Sequence, residues 1–290
     1  MTVRSAQPLR RVAAAAPVLL AALTVLAGCG QAGPQVVTFT AGDRAALSTC
    51  ADAVAVVDQA LTTVRSAQAG AEGAAAASAQ LSVAGESLHA IAGRATDSLT
   101  AQSVQDMLDS ITAYQAVLPN RSLDAYQDAA TDVRGRLAGF RNVCPVGNSD
   151  FASGARGWAA TSPATRLASA NGRHGGAGLL LTNAGARTAD IGVTDAPNWV
   201  HRTWRGGYRA GLWARAGSGS PTLSLVVQEQ QGGRVLGSAG ASVQLGPDWT
   251  FLGIRYHAKG RGAHLNLSVH AKHVGPLAGV SLDDLAIARG

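Results

Sequence analysis

The stretch Asp195–Ala216, DAPNWVHRTWRGGYRAGLWARA, holds three of the five tryptophans of a chain that is only 4% aromatic. Its second half alternates. Tyr208, Ala210, Leu212 and Ala214 fall on one side of an extended run, and Arg209, Gly211, Trp213 and Arg215 on the other, as side chains of a strand must. The apolar set predicts a core face, so Trp213 shares the outer face with two arginines. Two readings stay open there: a flat aromatic platform facing water, or a ring covered by neighbouring chain with arginine stems packed on it. Asn198, Trp199 and Trp204 precede the Gly206-Gly207 turn, in a loop where an exposed ring more often serves contact than packing.

Downstream and upstream of this stretch the texture is the same: short runs punctuated by glycine. Strands are expected over 178–182, 187–193, 208–214, 222–229, 238–245, 249–258, 263–271 and 280–288, a spacing that predicts an antiparallel sandwich. Leu252, Ile254 and Tyr256 alternate inward, as do Leu265, Leu267 and Val269, and the turn-like 259–262 between them suggests a hairpin. Its other face then carries Arg255, His257, His264, Asn266, Ser268 and His270. That stripe reads either as a solvated sheet face or as a hydrogen-bonding groove; a metal reading needs convergence that spacing alone does not provide. In 222–229 the same alternation turns Gln228 outward. The apolar phase slips between Val280/Leu282 and Leu285/Ile287, which predicts a bulge at Asp283-Asp284.

The pattern Asp195-x-Pro197-Asn198-Trp199-Val200, with Gly207-Tyr208 and Trp213-x-Arg215-Ala216, resembles the middle of carbohydrate-binding modules of families 4 and 9. Phe151-x-x-Gly154-x-x-Gly157-Trp158 before it, and Gly246-x-Asp248-Trp249 and Leu282-Asp283-Asp284-Leu285 after it, extend the likeness over about 148–288. The resemblance implies a jelly-roll sandwich that binds a polysaccharide or cell-wall glycan and performs no catalysis. It implies a site of Asn198, Trp199, Trp213, Arg215 and Gln228. It also implies a structural calcium near Asp283 or Asp284, although Ala152 stands where a glutamate commonly follows the phenylalanine.

The first half of the chain is alanine-rich and helical in period. Leu47, Cys50, Val54, Val57, Leu61 and Val64 recur at three- and four-residue steps, an apolar seam. Three further seams follow: Ala77 to Ile91, Val104 to Leu118, and Leu123 to Cys144, with breaks at 70–73, 93–98 and 119–121 and Ser122 as an expected N-cap. Four helices with short links predict an up-down-up-down antiparallel bundle. Cys50 lies on the first seam near the start of its helix and Cys144 at the end of the last, ends that an antiparallel bundle can bring together, so a Cys50–Cys144 disulfide is expected.

At the N-terminus Arg4, Arg10 and Arg11 precede an apolar run ending Leu26-Ala27-Gly28-Cys29. This has the form of a lipoprotein signal peptide, with Cys29 as the lipidated residue. Acyl chains on that residue predict stable attachment to a membrane surface outside the cytoplasm. The expected organisation is therefore signal peptide 1–28, tether 29–41, four-helix bundle 42–144 and β-sandwich 146–290, an α + β multidomain chain.

Charge divides unevenly, with fourteen basic against seven acidic residues in 146–290 and seven against eleven in 29–145. The β half would draw anionic polymers, but no nucleic-acid motif accompanies the charge, and nucleic acid is not expected as a partner. No catalytic residues are assigned. No nucleophile elbow, zinc-protease helix or phosphate loop occurs, and the only glutamates are Glu72, Glu86 and Glu229. No cofactor is expected beyond the calcium. The alternative to glycan binding is an envelope interaction protein whose sandwich docks a protein partner or an anionic wall polymer.

Overall fold

A computed structural model describes residues 39–69, 73–120 and 123–290. Cys29, the signal peptide and Ser122 lie outside the described residues. Four helices come first: α1 (Ala41–Gln68), α2 (Ala74–Arg94), α3 (Ser98–Val117) and α4 (Leu123–Val143). The seam residues are the buried ones, among them Leu81, Leu88, Met107 and Tyr114. Asp97 caps α3 by accepting the Thr100 N–H at 2.8 Å, and a reciprocal Thr40/Asp43 capping box starts α1. Cys50 and Cys144 form a disulfide, with Cα atoms 5.4 Å apart, so the last residue of the helical half is tied to the first turns of α1.

Ten strands follow: β1 (Trp158–Ala160), β2 (Thr165–Asn171), β3 (Ala177–Asn183), β4 (Ala189–Asp195), β5 (Gly206–Ala216), β6 (Thr222–Gln231), β7 (Arg234–Gln244), β8 (Thr250–Ala258), β9 (His264–Val274) and β10 (Gly279–Arg289). They build two antiparallel five-stranded sheets. Sheet A has the order β1-β4-β9-β6-β7 and sheet B the order β2-β3-β10-β5-β8. Between them lies one core that includes Leu179, Ile191, Tyr208, Leu212, Leu225, Leu267 and Leu282. All eight strands expected from alternation are present. The two unexpected ones, β1 and β2, are edge strands; β2, TRLASAN, is mostly polar and offers almost no apolar period.

One expectation is corrected. The runs around 252–258 and 264–270 are not a hairpin: β8 pairs with β5 in sheet B, and β9 pairs with β4 and β6 in sheet A. Both runs do point their apolar residues inward. Alternation fixes which side of a strand is buried and is silent about which sheet receives it, and 259–263 is long enough to cross the roughly 10 Å between packed sheets. The crossing is held by Glu229, fully buried, whose carboxylate accepts the Tyr256 hydroxyl at 2.6 Å and the N–H groups of Lys259 and Gly260 at 2.8 and 2.9 Å. Hairpins do join β2 to β3 and β6 to β7, the second through Gly232-Gly233, both at positive φ, the backbone a two-residue turn requires. The bulge expected at Asp283-Asp284 is present as a register shift with Asp284 at φ 48°.

Helix α1 serves both halves. Its seam faces the other helices, and the flank that carries Asp43, Arg44 and Leu47 meets the outer face of sheet B. Ala286 and Ala288 of β10 belong to the same apolar cluster as the helical core, with Phe39 and Phe251 packed against it. Glycines make room for the approach. A Cβ on Gly211 would lie 2.9 Å from Leu47 Cδ1, and one on Gly253 would lie 2.6 Å from the Phe39 ring. The junction is pinned by Asp43, whose carboxylate receives Arg209 Nε at 3.1 Å and Arg255 Nε at 3.1 Å.

Candidate functional site

Helix α1 packs on β10 and β5 of sheet B, and the outer face of sheet A presents a different set of side chains. Register puts its outward side chains into rows that cross the strands. The middle row is Ala159, Thr194, Ser268, Val226 and Gly240 on β1, β4, β9, β6 and β7. On one side runs Asn266–Gln228–Ser238, and on the other Gly192–His270–Ser224–Ser242. Rows two residues apart stand about 7 Å from each other, and five strands span about 19 Å. Together the three rows make a polar band perpendicular to the strands, with Gln228, Asn266 and His270 its longest side chains.

The rows of this band are held in place by hydrogen bonds. Asn266 Nδ2 donates to Thr194 Oγ1 at 2.9 Å, Thr194 Oγ1 donates to the Leu267 carbonyl at 3.1 Å, and the Ser224 and Ser242 hydroxyls lie 2.7 Å apart. Gln230 donates to Gln228 Oε1. Nε2 of Gln228 and Oδ1 of Asn266 have no hydrogen-bond partner among the described residues. Burial depresses the His270 pKa, which keeps that ring neutral at pH 7. Asp190 and Lys272 lie at one end of the face, so its centre is uncharged and rich in both donors and acceptors.

The outer face of β5 is different. Arg209 is engaged with Asp43, and Gly211 lies under Leu47. The guanidinium of Arg173 stands 4.0 Å from the Trp213 ring centroid, and Phe251 meets that ring edge-on at 5.3 Å. Arg44, Phe251, Asp284 and α1 line a cleft of about 500 Å3 beside them. Arg215 stacks 4.8 Å from the Trp249 ring. Trp213 is half-buried, with the Arg173 guanidinium of the β2–β3 loop over its ring, and it lines the cleft beside α1.

Trp199 lies elsewhere, in the loop after β4. Asp195, buried at the end of that strand, accepts the Trp199 N–H at 2.8 Å and the Leu267 N–H at 2.9 Å. Burial pushes its carboxyl up to about 6 despite those bonds. The indole packs on Trp158, with ring centroids 5.9 Å apart, and fits between two glycines: a Cβ on Gly157 would lie 2.5 Å from it and one on Gly147 2.9 Å. Asn198 is within 3.4 Å of Asp195 Oδ1. The five residues implied by resemblance therefore occupy three places: Asn198 and Trp199 on the loop, Trp213 and Arg215 on sheet B, and Gln228 in the polar band on sheet A. Asn266, Ser224 and Ser242 had a legible signal, their outward phase, but their shared row needs the strand order.

The residues at the expected calcium position do not fit that ion. Asp283 accepts the backbone N–H groups of Arg173 at 2.6 Å and Asp284 at 2.9 Å, and the Arg173 guanidinium reaches Asp284 at 3.4 Å. A cation is already there, and no cluster of three or more His, Cys, Asp or Glu suited to a metal occurs among the described residues. Calcium asks for six to eight oxygens.

No protein-family model and no curated protein matches this chain. Similar solved structures include the enzymatically active domain of tailspike protein 4 of bacteriophage CBA120, at TM-score 0.43 and 12% identity over 51% of this chain and 22% of that one. A second is the carbohydrate-binding module TmCBM61 in complex with β-1,4-galactotriose, at TM-score 0.39 and 15% identity over 51% of this chain and 99% of that one. A third is the CBM22-1 xylan-binding domain of Xyn10C from Paenibacillus barcinonensis, at TM-score 0.37 and 20% identity over 46% of this chain and 85% of that one. Each likeness covers about half of this chain.

Proposed function

We propose that this is a lipid-anchored, extracytoplasmic protein that binds a polysaccharide without catalysis, through the polar band on the outer face of sheet A. The observation that supports this reading is the row structure of that face: an uncharged, strand-crossing band that presents unpaired amide donors and acceptors. A sugar polymer offers hydroxyls along its length, and a surface with pre-positioned amides, hydroxyls and imidazole recognises them without ordering new side chains. Gln228, assigned from sequence, stands in one row, and Asn266 beside it supplies an acceptor. Anchoring rests on the Leu26–Cys29 sequence and on the short tether that follows it.

Affinity electrophoresis of the full chain in neutral β-1,4-galactan and xylan tests the binding. Retardation by at least one of them is expected, weakened at least tenfold in Gln228→Ala/Asn266→Ala. Mobility unaffected by any neutral glycan, or equal retardation of the double variant, overturns the reading in favour of a protein-docking face. For the anchor, Cys29→Ser is expected to move the protein from the membrane fraction to the soluble one, and continued sedimentation with membranes would refute it.

A further inference from the structure

A second groove, of about 990 Å3, runs between the helical half and the sandwich, with one wall from α1 and the end of α4 and the other from residues 147–157 and 196–202. Four arginines line it, Arg65, Arg141, Arg156 and Arg202, against two carboxylates, Asp58 and Asp150. Arg141 pairs with Asp58 at 3.3 Å. The other three arginines make no ion pair among the described residues, and all three side chains are exposed. Trp199 is half-buried in the same groove, seated between Gly147 and Gly157, and its Nε1 has no acceptor among the described residues.

We infer that this groove is a binding site for an acidic saccharide, one whose sugars carry carboxylate or phosphate groups. Unpaired guanidinium groups on two walls recognise such anions by charge-assisted, planar hydrogen bonds. An indole beside them offers an apolar ring surface of the kind a sugar face covers. Single-stranded nucleic acid is served by aromatic platforms in series, and only one such ring lines this groove. The site is distinct from the polar band on sheet A and does not depend on it: half of it comes from the helices.

The test uses the full chain with polygalacturonate, phosphomannan and neutral galactan, and with oligothymidylate as competitor. Binding to at least one acidic polymer is expected, falling with added salt and weakened at least tenfold in Arg156→Ala/Arg202→Ala. A preference for polygalacturonate assigns the carboxylate and a preference for phosphomannan the phosphate; either supports the site. The acidic ligand is also expected to change tryptophan fluorescence in the parent and not in Trp199→Phe. Both arginines are exposed, so an unchanged thermal melt of the double variant is expected. Galactan retention reads the polar band and is the same for parent and arginine variant, which keeps the two sites separable. No binding to either acidic polymer, undiminished binding by the double variant, or equally tight displacement by oligothymidylate overturns the inference.

Discussion

The two outer faces of this sandwich start from similar material and end in opposite roles. Both carry polar residues at alternate positions, and both look solvated when read strand by strand. Sheet B has glycines at Gly211 and Gly253 and alanines at Ala286 and Ala288, which lower its surface enough for α1 to lie against it. Sheet A keeps Asn266, Gln228, His270 and Ser224 in polar rows that cross its strands. An outer face made of small residues becomes an interface, and one with ordered polar rows stays available for a ligand. The difference lies in which face has the small residues that let a helix approach.

The largest effect should come from loosening the helices packed on sheet B. Replacing Cys50 and Cys144 with serine removes a cross-link between residues 94 apart, worth about 4–5 kcal/mol by loop entropy. Denaturant unfolding should show that loss, whereas an unchanged midpoint would mean the helices dock without it.

Next is the pin itself. Asp43→Ala removes a helix cap and leaves Arg209, only 18% exposed, without its closest carboxylate, which should destabilise by about 2–3 kcal/mol. Burial acts to raise the Asp43 pKa, but the Thr40 hydroxyl and Arg255 outweigh it and hold it below its ordinary 3.8. The sign follows: this stabilisation is full above pH 4 and is lost as pH falls through the lowered folded value. Glu229 behaves alike, its burial outweighed by bonds from Tyr256, Lys259 and Gly260. Asp195 acts the other way. Its folded value near 6 lies above the ordinary 3.8, so its contribution is present at low pH and lost as pH rises between those values. In a stability–pH curve, Asp43→Ala should flatten the acid limb below pH 4 and leave the Asp195 slope between pH 4 and 6 in place. A variant with an unaltered acid limb would remove Asp43 from the junction.

The smallest effect belongs to sheet A. Gln228→Ala/Asn266→Ala should cost about 1 kcal/mol, for the Asn266 bond to Thr194 Oγ1, while weakening glycan retention at least tenfold. A large drop in melting temperature would erase the contrast between the faces.

Much of this was legible beforehand. The helical seams, the cysteine pair, eight strand phases and the bulge at Asp283-Asp284 all follow from local periodicity and appear as expected. The candidate site was legible only in fragments. Gln228 points outward by alternation, but its row-mates come from β9 and β7. The mistaken hairpin at 259–262 shows why: two strands with the same inward phase can belong to different sheets. Trp213 shows the same limit from the other side, since the flank of α1 beside it carries Arg44, Ser48 and Ala51, which do not stand out as an apolar stripe.

By itself, then, the sequence determined which side of each element faces inward, because burial is imposed residue by residue along a helix or strand. Only the tertiary structure decided which outer face is left for a ligand. That choice rests on pairings such as Asp43 with Arg255, 212 residues apart, and no local pattern encodes a contact whose two ends meet only when the chain has folded.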